Sequence, residues 1–188
     1  MNQYQVPIIV AVIAVVAIVG IVGFLLMRKR RSQMLRDRFG PEYDRVIKRE
    51  GNLRKGEAVL AFRTERRESL TITPLSPSIR SDFATRWTTV QAQFVDDPKE
   101  AVVRADHLVS EVMQARGYPV GEFDQRAADL SVDHPIVVDN YRAAHEVALR
   151  HGRGQASTED LRKAMVHYRS LFDELLENSL AEMKEARG

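Results

Sequence analysis

Seven residues in the second half of the chain combine the groups that hydrolytic enzymes use. The stretch DLSVDHP, residues 129–135, holds a hydroxyl, two carboxylates and an imidazole. A nucleophilic serine needs an imidazole within hydrogen-bond reach as its base, and a third group that orients the imidazole. Ser131 and His134 are only three residues apart, so a turn would bring them together. An enzyme's active site would be expected in this stretch.

Pro135 gives the same stretch a structural explanation. Proline is favoured in the first turn of a helix, and the residue before it is pushed out of the helical conformation. Asp133 or His134 would then cap a helix that begins near Pro135, and such a cap contributes about 1 kcal/mol. We therefore predict a helix start and no catalytic residue. An enzyme centred near His134, with Asp133, is the third functional hypothesis.

Other candidates for chemistry lack the spacing that binding sites need. None of the five histidines pairs with another at the three- or four-residue spacing that places two metal ligands on one helix face. The glycines of GRGQAST, residues 152–158, do not form a GxxxxGK[ST] pattern, and no strand signal precedes them. We therefore predict no metal site and no cofactor.

The most apolar part of the chain lies near its beginning. Residues 7–27, PIIVAVIAVVAIVGIVGFLLM, contain no charged or strongly polar side chain. A helix of this length, at about 1.5 Å per residue, spans roughly 30 Å, the thickness of the hydrocarbon core of a bilayer. A cleaved signal peptide would instead have a basic segment before a shorter apolar run. The sequence predicts a single transmembrane helix over 7–27, preceded by a short external N-terminus, residues 1–6.

Four basic residues, RKRR at 28–31, follow the apolar run directly. Positively charged flanks stay in the cytoplasm, so we predict a plasma-membrane protein with its N-terminus outside and the bulk of the chain in the cytoplasm. The absence of cysteine agrees with that compartment. Small residues recur every three positions from Ala11 to Gly23, which permits a homo-oligomer without requiring one.

The net charge of +2 is divided unevenly along the chain. Residues 28–70 contain 14 Lys+Arg and 7 Asp+Glu, whereas residues 71–188 contain 14 and 19. The change of sign coincides with TITPLSPS, residues 71–78, an uncharged stretch with two prolines that favours an extended connector. We therefore predict a basic juxtamembrane helical segment over 28–70 and an acidic helical domain over 71–188.

Apolar residues of the acidic part recur at helical spacing between well-marked boundaries. Ser-Pro at 76–77 and Asp-Pro at 97–98 begin two helices, a third begins near Pro135, and Ser157 caps a fourth. The sequence shows no convincing strand signal. The predicted fold class is all-α, with the transmembrane helix followed by a cytoplasmic bundle of about four helices.

Four stretches carry a resemblance to a family. They are RFGPEYDRV (38–46), FVDDPKEAVVRADHLVSEVMQARGYPV (94–120), FDQRAADLSVDHPIVVDNYRAAH (123–145) and ASTEDLRKAMVHYRSLFDELL (156–176). In these stretches the sequence resembles a set of uncharacterised bacterial single-pass membrane-anchored helical proteins. The resemblance implies a bacterial source and implies no activity.

The leading functional hypothesis is a membrane-anchored cytoplasmic adaptor or scaffold that binds an unknown protein partner without catalytic activity. The alternative is a membrane-surface module that binds anionic lipid through residues 28–70, because each basic residue near an anionic leaflet contributes about 1 kcal/mol. The candidate lipid contacts are Arg28, Lys29, Arg30, Arg31, Arg36 and Arg38. We predict no nucleic-acid partner, because the acidic domain would repel one.

Overall fold

A computed structural model describes the backbone of residues 5–185 and the side chains of residues 16–177. The regular secondary structure of this part is entirely helical, which confirms the all-α prediction. Its eight helices are α1 (Gln5–Phe39), α2 (Pro41–Glu50), α3 (Leu53–Glu68), α4 (Pro77–Asp96), α5 (Pro98–Arg116), α6 (Phe123–Asp133), α7 (Val138–Gly152) and α8 (Thr158–Glu185).

The transmembrane helix predicted over 7–27 is contradicted. Among the described residues, no helix combines the length and the apolar character that crossing a membrane requires. The side chains of residues 1–15, which include the predicted external segment, lie outside the described part.

Helices α1, α2 and α3 share a small apolar core, called the N-terminal cluster below. Its buried members are Leu35, Phe39, Tyr43, Val46, Leu60 and Val132. Only Val132 comes from α6, and the others lie within residues 28–70. Gly40 separates α1 from α2 with a φ of 47°, and Pro41 begins α2, so the chain reverses and packs its apolar faces together.

The larger core belongs to the bundle formed by α4, α5, α7 and α8, with α6 at one side. Trp87 of α4 stacks on Phe172 of α8 with ring centroids 4.6 Å apart. The buried residues of α5 and α8 recur every three or four positions, as the sequence indicates. Residues 71–188 therefore contain five helices in the described part, one more than the four predicted, and the additional one is α6.

Three predicted helix starts are confirmed by their caps. The Ser76 hydroxyl accepts a hydrogen bond from the amide of Ile79 at 3.4 Å, at the start of α4. The Asp97 carboxylate accepts one from the amide of Glu100 at 3.1 Å, at the start of α5. At the start of α8, the Ser157 hydroxyl accepts a hydrogen bond from the amide of Asp160. The Asp160 carboxylate in turn accepts one from the amide of Ser157.

Candidate functional site

The stretch DLSVDHP lies at the end of α6, so the predicted cap at Asp133 or His134 is wrong, although a helix, α7, does begin near Pro135, at Val138. Asp133 is the last residue of α6, and the His134 amide still donates to the carbonyl of Leu130 at 2.8 Å. Helix α7 begins only at Val138, after a turn that contains Pro135. The carboxylate of Asp133 therefore does not cap a helix, and its role depends on contacts with other elements.

Asp133 joins a buried chain of polar groups at the end of α6. Its Oδ2 accepts a hydrogen bond from the Tyr118 hydroxyl at 2.7 Å and pairs with the guanidinium of Arg67. The same hydroxyl lies 3.4 Å from Nε2 of His134, whose Nδ1 is 3.3 Å from a carboxylate oxygen of Glu174. A phenol that donates to a carboxylate is left as an acceptor for Nε2. The arrangement ties α3, α6 and α8 together.

Ser131 belongs to a different group of contacts. Its hydroxyl donates to the carbonyl of Ala128 at 2.6 Å and accepts from Nη1 of Arg63 at 3.0 Å. A nucleophilic serine would donate to its base, and here the proton of the Ser131 hydroxyl goes to a backbone carbonyl. The structure therefore does not bring Ser131 and His134 together as a nucleophile and its base.

A buried carboxylate, Glu42, holds two arginines where α2, α3 and α7 meet. Its side chain is 1% exposed. Oε1 lies 2.7 Å from Nη1 of Arg63, and Arg142 donates to both carboxylate oxygens at 2.7 and 2.8 Å. Burial raises the pKa of Glu42, but the hydrogen bonds and charges of the two arginines outweigh it, so the pKa lies below its ordinary value. Glu42 is therefore ionised at neutral pH.

Further ion pairs link the basic segment to α6 and α7. Arg45 lies 2.7 Å from the carboxylate of Asp139, and Arg66 lies 2.9 Å from that of Asp129, a residue that is fully buried. Together with Arg67 and the Glu42 group, these pairs form what we call the charge junction. Sequence reasoning missed it, although the opposite net charges of 28–70 and 71–188 were the signal that could have indicated it. Whether this boundary separates two domains stays a prediction.

Replacing His134 with glutamine should make stability less sensitive to acid. Burial lowers the pKa of His134 below its ordinary 6.5; Glu174 opposes this and Arg116 adds to it. Near and below pH 6.5 the unfolded chain therefore binds the proton more readily than the folded chain. The free energy of unfolding consequently decreases as the pH is lowered. Urea midpoints at about pH 7.5 and about pH 5.5 should differ less in the variant than in the wild type. An equal or larger difference in the variant would contradict this assignment.

The six candidate lipid contacts do not form one group in the structure. Arg36 lies 3.4 Å from Asp44 and above the ring of Tyr43, and Arg38 lies 3.8 Å from Glu68. Among the described residues, no acidic group lies within 4 Å of the four basic side chains at 28–31. The structure thus separates these four from Arg36 and Arg38, which have partners. The assignment of lipid contacts stays a prediction.

A surface groove lies between α1 and the beginning of α3. Its volume is about 460 Å³, which is similar to the volume of about 420 Å³ of a surface groove between α4 and α5. The α1–α3 groove has apolar walls from Phe24, Met27 and Ala58, and arginines at its edge. It continues into the exposed apolar surface of α1. These features make it the candidate site for a binding partner.

The described residues contain no group of three or more His, Cys, Asp or Glu side chains arranged to hold a metal ion. No protein-family model, no curated protein and no solved structure matches the chain. The resemblance to bacterial membrane-anchored proteins therefore stays a prediction, and the function of this chain has to be argued from the residues of its own surface.

Proposed function

We propose that this protein is a non-catalytic helical interaction module that binds another protein through α1 and the groove beside it. One observation carries the proposal: nine large apolar side chains between Val16 and Met27 are 48–68% exposed. A contiguous apolar surface of this kind marks a site where another molecule binds. A helix that is apolar on all sides is normally covered.

The environment of His134 supports a non-catalytic role. The imidazole is 3% exposed and is surrounded by Tyr118, Asp133 and Glu174, so a substrate could reach it only if helices moved apart. The charged groups nearby hold α3, α6 and α8 in place, which gives them a structural use.

A second candidate function is binding of an anionic lipid surface. The four basic residues at 28–31 have no acidic partner among the described side chains, and they directly follow the exposed apolar stretch. Such a cluster is attracted to anionic headgroups by about 1 kcal/mol per residue, an attraction that salt weakens. Protein binding remains the main proposal because the groove between two helices offers a shaped surface.

Photocrosslinking from α1 tests the proposal. A photoreactive amino acid in place of Phe24 or Met27, in the cells that naturally produce the protein, should give a discrete protein adduct because these side chains would lie against the partner. The matched controls are Ile136 and Val166, which are also apolar and exposed but lie elsewhere. Gel mobility and protease sensitivity identify a protein adduct. Lipid adducts alone, or equal adducts from the control positions, would contradict protein binding through α1.

A further inference from the structure

The residues that line the α1–α3 groove occupy one face of each helix. On α1 they are residues 24, 27, 28 and 31, spaced by three, four and seven positions from the first. On α3 they are residues 54, 57 and 58, again within one turn and one face. Residues at these spacings are neighbours on a helix surface. Two parallel or antiparallel ridges of side chains therefore form the walls, and the space between them is about 460 Å³.

The interior of the groove is apolar. Phe24 and Met27 are 61% and 68% exposed, and Ala58 provides a small, open position opposite them. Burying such side chains against an apolar partner stabilises a complex by about 25 cal/mol for each Å² removed from water. Phe24 and Met27 are one turn apart, so a partner with apolar residues at the same spacing would contact both.

The edge of the groove is positively charged. Arg28, Arg31 and Arg54 have no acidic group within 4 Å among the described side chains. The one carboxylate in the lining, that of Glu57, already accepts hydrogen bonds from the Ser32 and Tyr43 hydroxyls through Oε1. Arginine presents a planar fork that binds carboxylates with two parallel hydrogen bonds. The edge is therefore complementary to carboxylates.

We infer that the α1–α3 groove binds an acidic amphipathic helix of the partner protein, an inference that rests on the proposed function. Arg28 and Arg31 are three residues apart, which is a rise of about 4.5 Å along α1. Glutamates three or four residues apart on a packed helix would face them at the same spacing, beside the apolar contacts. The partner helix would lie between α1 and α3 and join the group that these two helices form with α2, which is helix-in-groove recognition.

Fluorescence anisotropy with the full chain and three synthetic helical peptides tests the inference. One peptide carries leucines on one face and glutamates beside them, the second has lysines in place of the glutamates, and the third has the composition of the first in scrambled order. The acidic peptide should bind at least tenfold more tightly than either of the others. Equal binding of the acidic and the scrambled peptide would overturn the inference.

Charge reversal locates the site. Arg31→Glu with Arg54→Glu should weaken binding of the acidic peptide at least tenfold and strengthen binding of the lysine peptide. The control is Arg153→Glu, the same kind of substitution at an exposed position after α7. It should leave the affinities for the acidic peptide and for the lysine peptide unchanged. Circular dichroism of each variant shows that the helices are retained. An acidic peptide that binds the double variant as well as the wild type would place the site elsewhere.

Vesicles separate a lipid surface from a protein helix. The same proteins are sedimented with vesicles of phosphatidylcholine alone and with vesicles that also contain phosphatidylserine. Binding to the anionic vesicles that requires Arg31 and Arg54, together with no binding of the acidic peptide, would overturn the inference in favour of lipid. If no peptide binds but Phe24 still crosslinks to a protein, the proposed function stands and the helix assignment fails.

Discussion

Replacement of Glu42 with alanine is expected to lower the free energy of unfolding by about 3–5 kcal/mol. The variant leaves the guanidinium groups of Arg63 and Arg142 in a buried region without the carboxylate that both contact. The side chain of Arg63 is only 6% exposed, so water cannot replace the lost partner. Guanidinium groups stay protonated, so Arg63 cannot escape the cost by losing its charge. Urea denaturation of the full chain, followed by circular dichroism, measures the change.

Two further variants show that the cost comes from buried charge. Asp173→Ala removes a carboxylate that pairs with Arg169 at 3.3 Å on the exposed face of α8, and it should cost only about 0.3–0.5 kcal/mol. Replacing the whole group together, as Glu42→Leu with Arg63→Met and Arg142→Met, should recover most of the lost stability, because no unpaired charge remains. If Glu42→Ala lowers the free energy of unfolding no more than Asp173→Ala does, Glu42 and its two arginines do not form a buried group.

The charge junction also shows which contacts of the basic segment the sequence could not indicate. The sequence showed an excess of basic residues over 28–70, and binding of anionic lipid was one hypothesis for it. Arg45, Arg66 and Arg67 pair with carboxylates that lie between 63 and 94 positions away, a separation at which sequence spacing carries no information. Only the opposite charges of the two parts were visible. Charge totals indicate attraction, but they cannot assign pairs.

Local signals predicted helix boundaries well where the cap lies within the same helix. The boundaries at Ser76, Asp97 and Ser157 depend on hydrogen bonds within three residues, so their residue types were sufficient. The end of α6 was different. Asp133 before His134 and Pro135 has the composition of a cap, but its carboxylate contacts Tyr118 and Arg67, and Asp133 is the last residue of α6. Tertiary contacts there override the local preference.

The candidate groove was only partly predictable. The sequence identified Arg28 and Arg31 as basic residues that follow an apolar run and as candidate lipid contacts. Their position opposite Arg54 and Ala58 depends on how α1 and α3 pack through the N-terminal cluster, which joins Leu35 and Phe39 of α1 to residues of α2 and α3. The apolar residues of α3 lie in the run AVLAF, residues 58–62, and only Leu60 of this run is buried. The packing of α1 against α3, which forms the groove, therefore could not be predicted from the sequence.

Gly117 ends α5 at a place where a side chain has no room. Its φ is 101°, in the left-handed region that residues with a Cβ avoid. A Cβ built on Gly117 would lie 2.3 Å from the carbonyl oxygen of Thr71, in the connector before α4. The connector is held there by a backbone hydrogen bond of 2.8 Å from the Thr73 amide to the Arg116 carbonyl. Neither backbone can move without breaking this contact.

Gly117→Ala is therefore expected to lower the free energy of unfolding by about 2–5 kcal/mol, the sum of left-handed strain and overpacking. Thermal denaturation of the full chain should show a decrease of several degrees in the midpoint, since about 1 kcal/mol corresponds to about 2–4 °C at this size. Gly154→Ala is the matched control, because Gly154 has a φ of 72° but no atom within 4 Å of the added Cβ. It should show only the strain, about 1–2 kcal/mol. Equal losses in the two variants would mean that the connector does not pack against the end of α5.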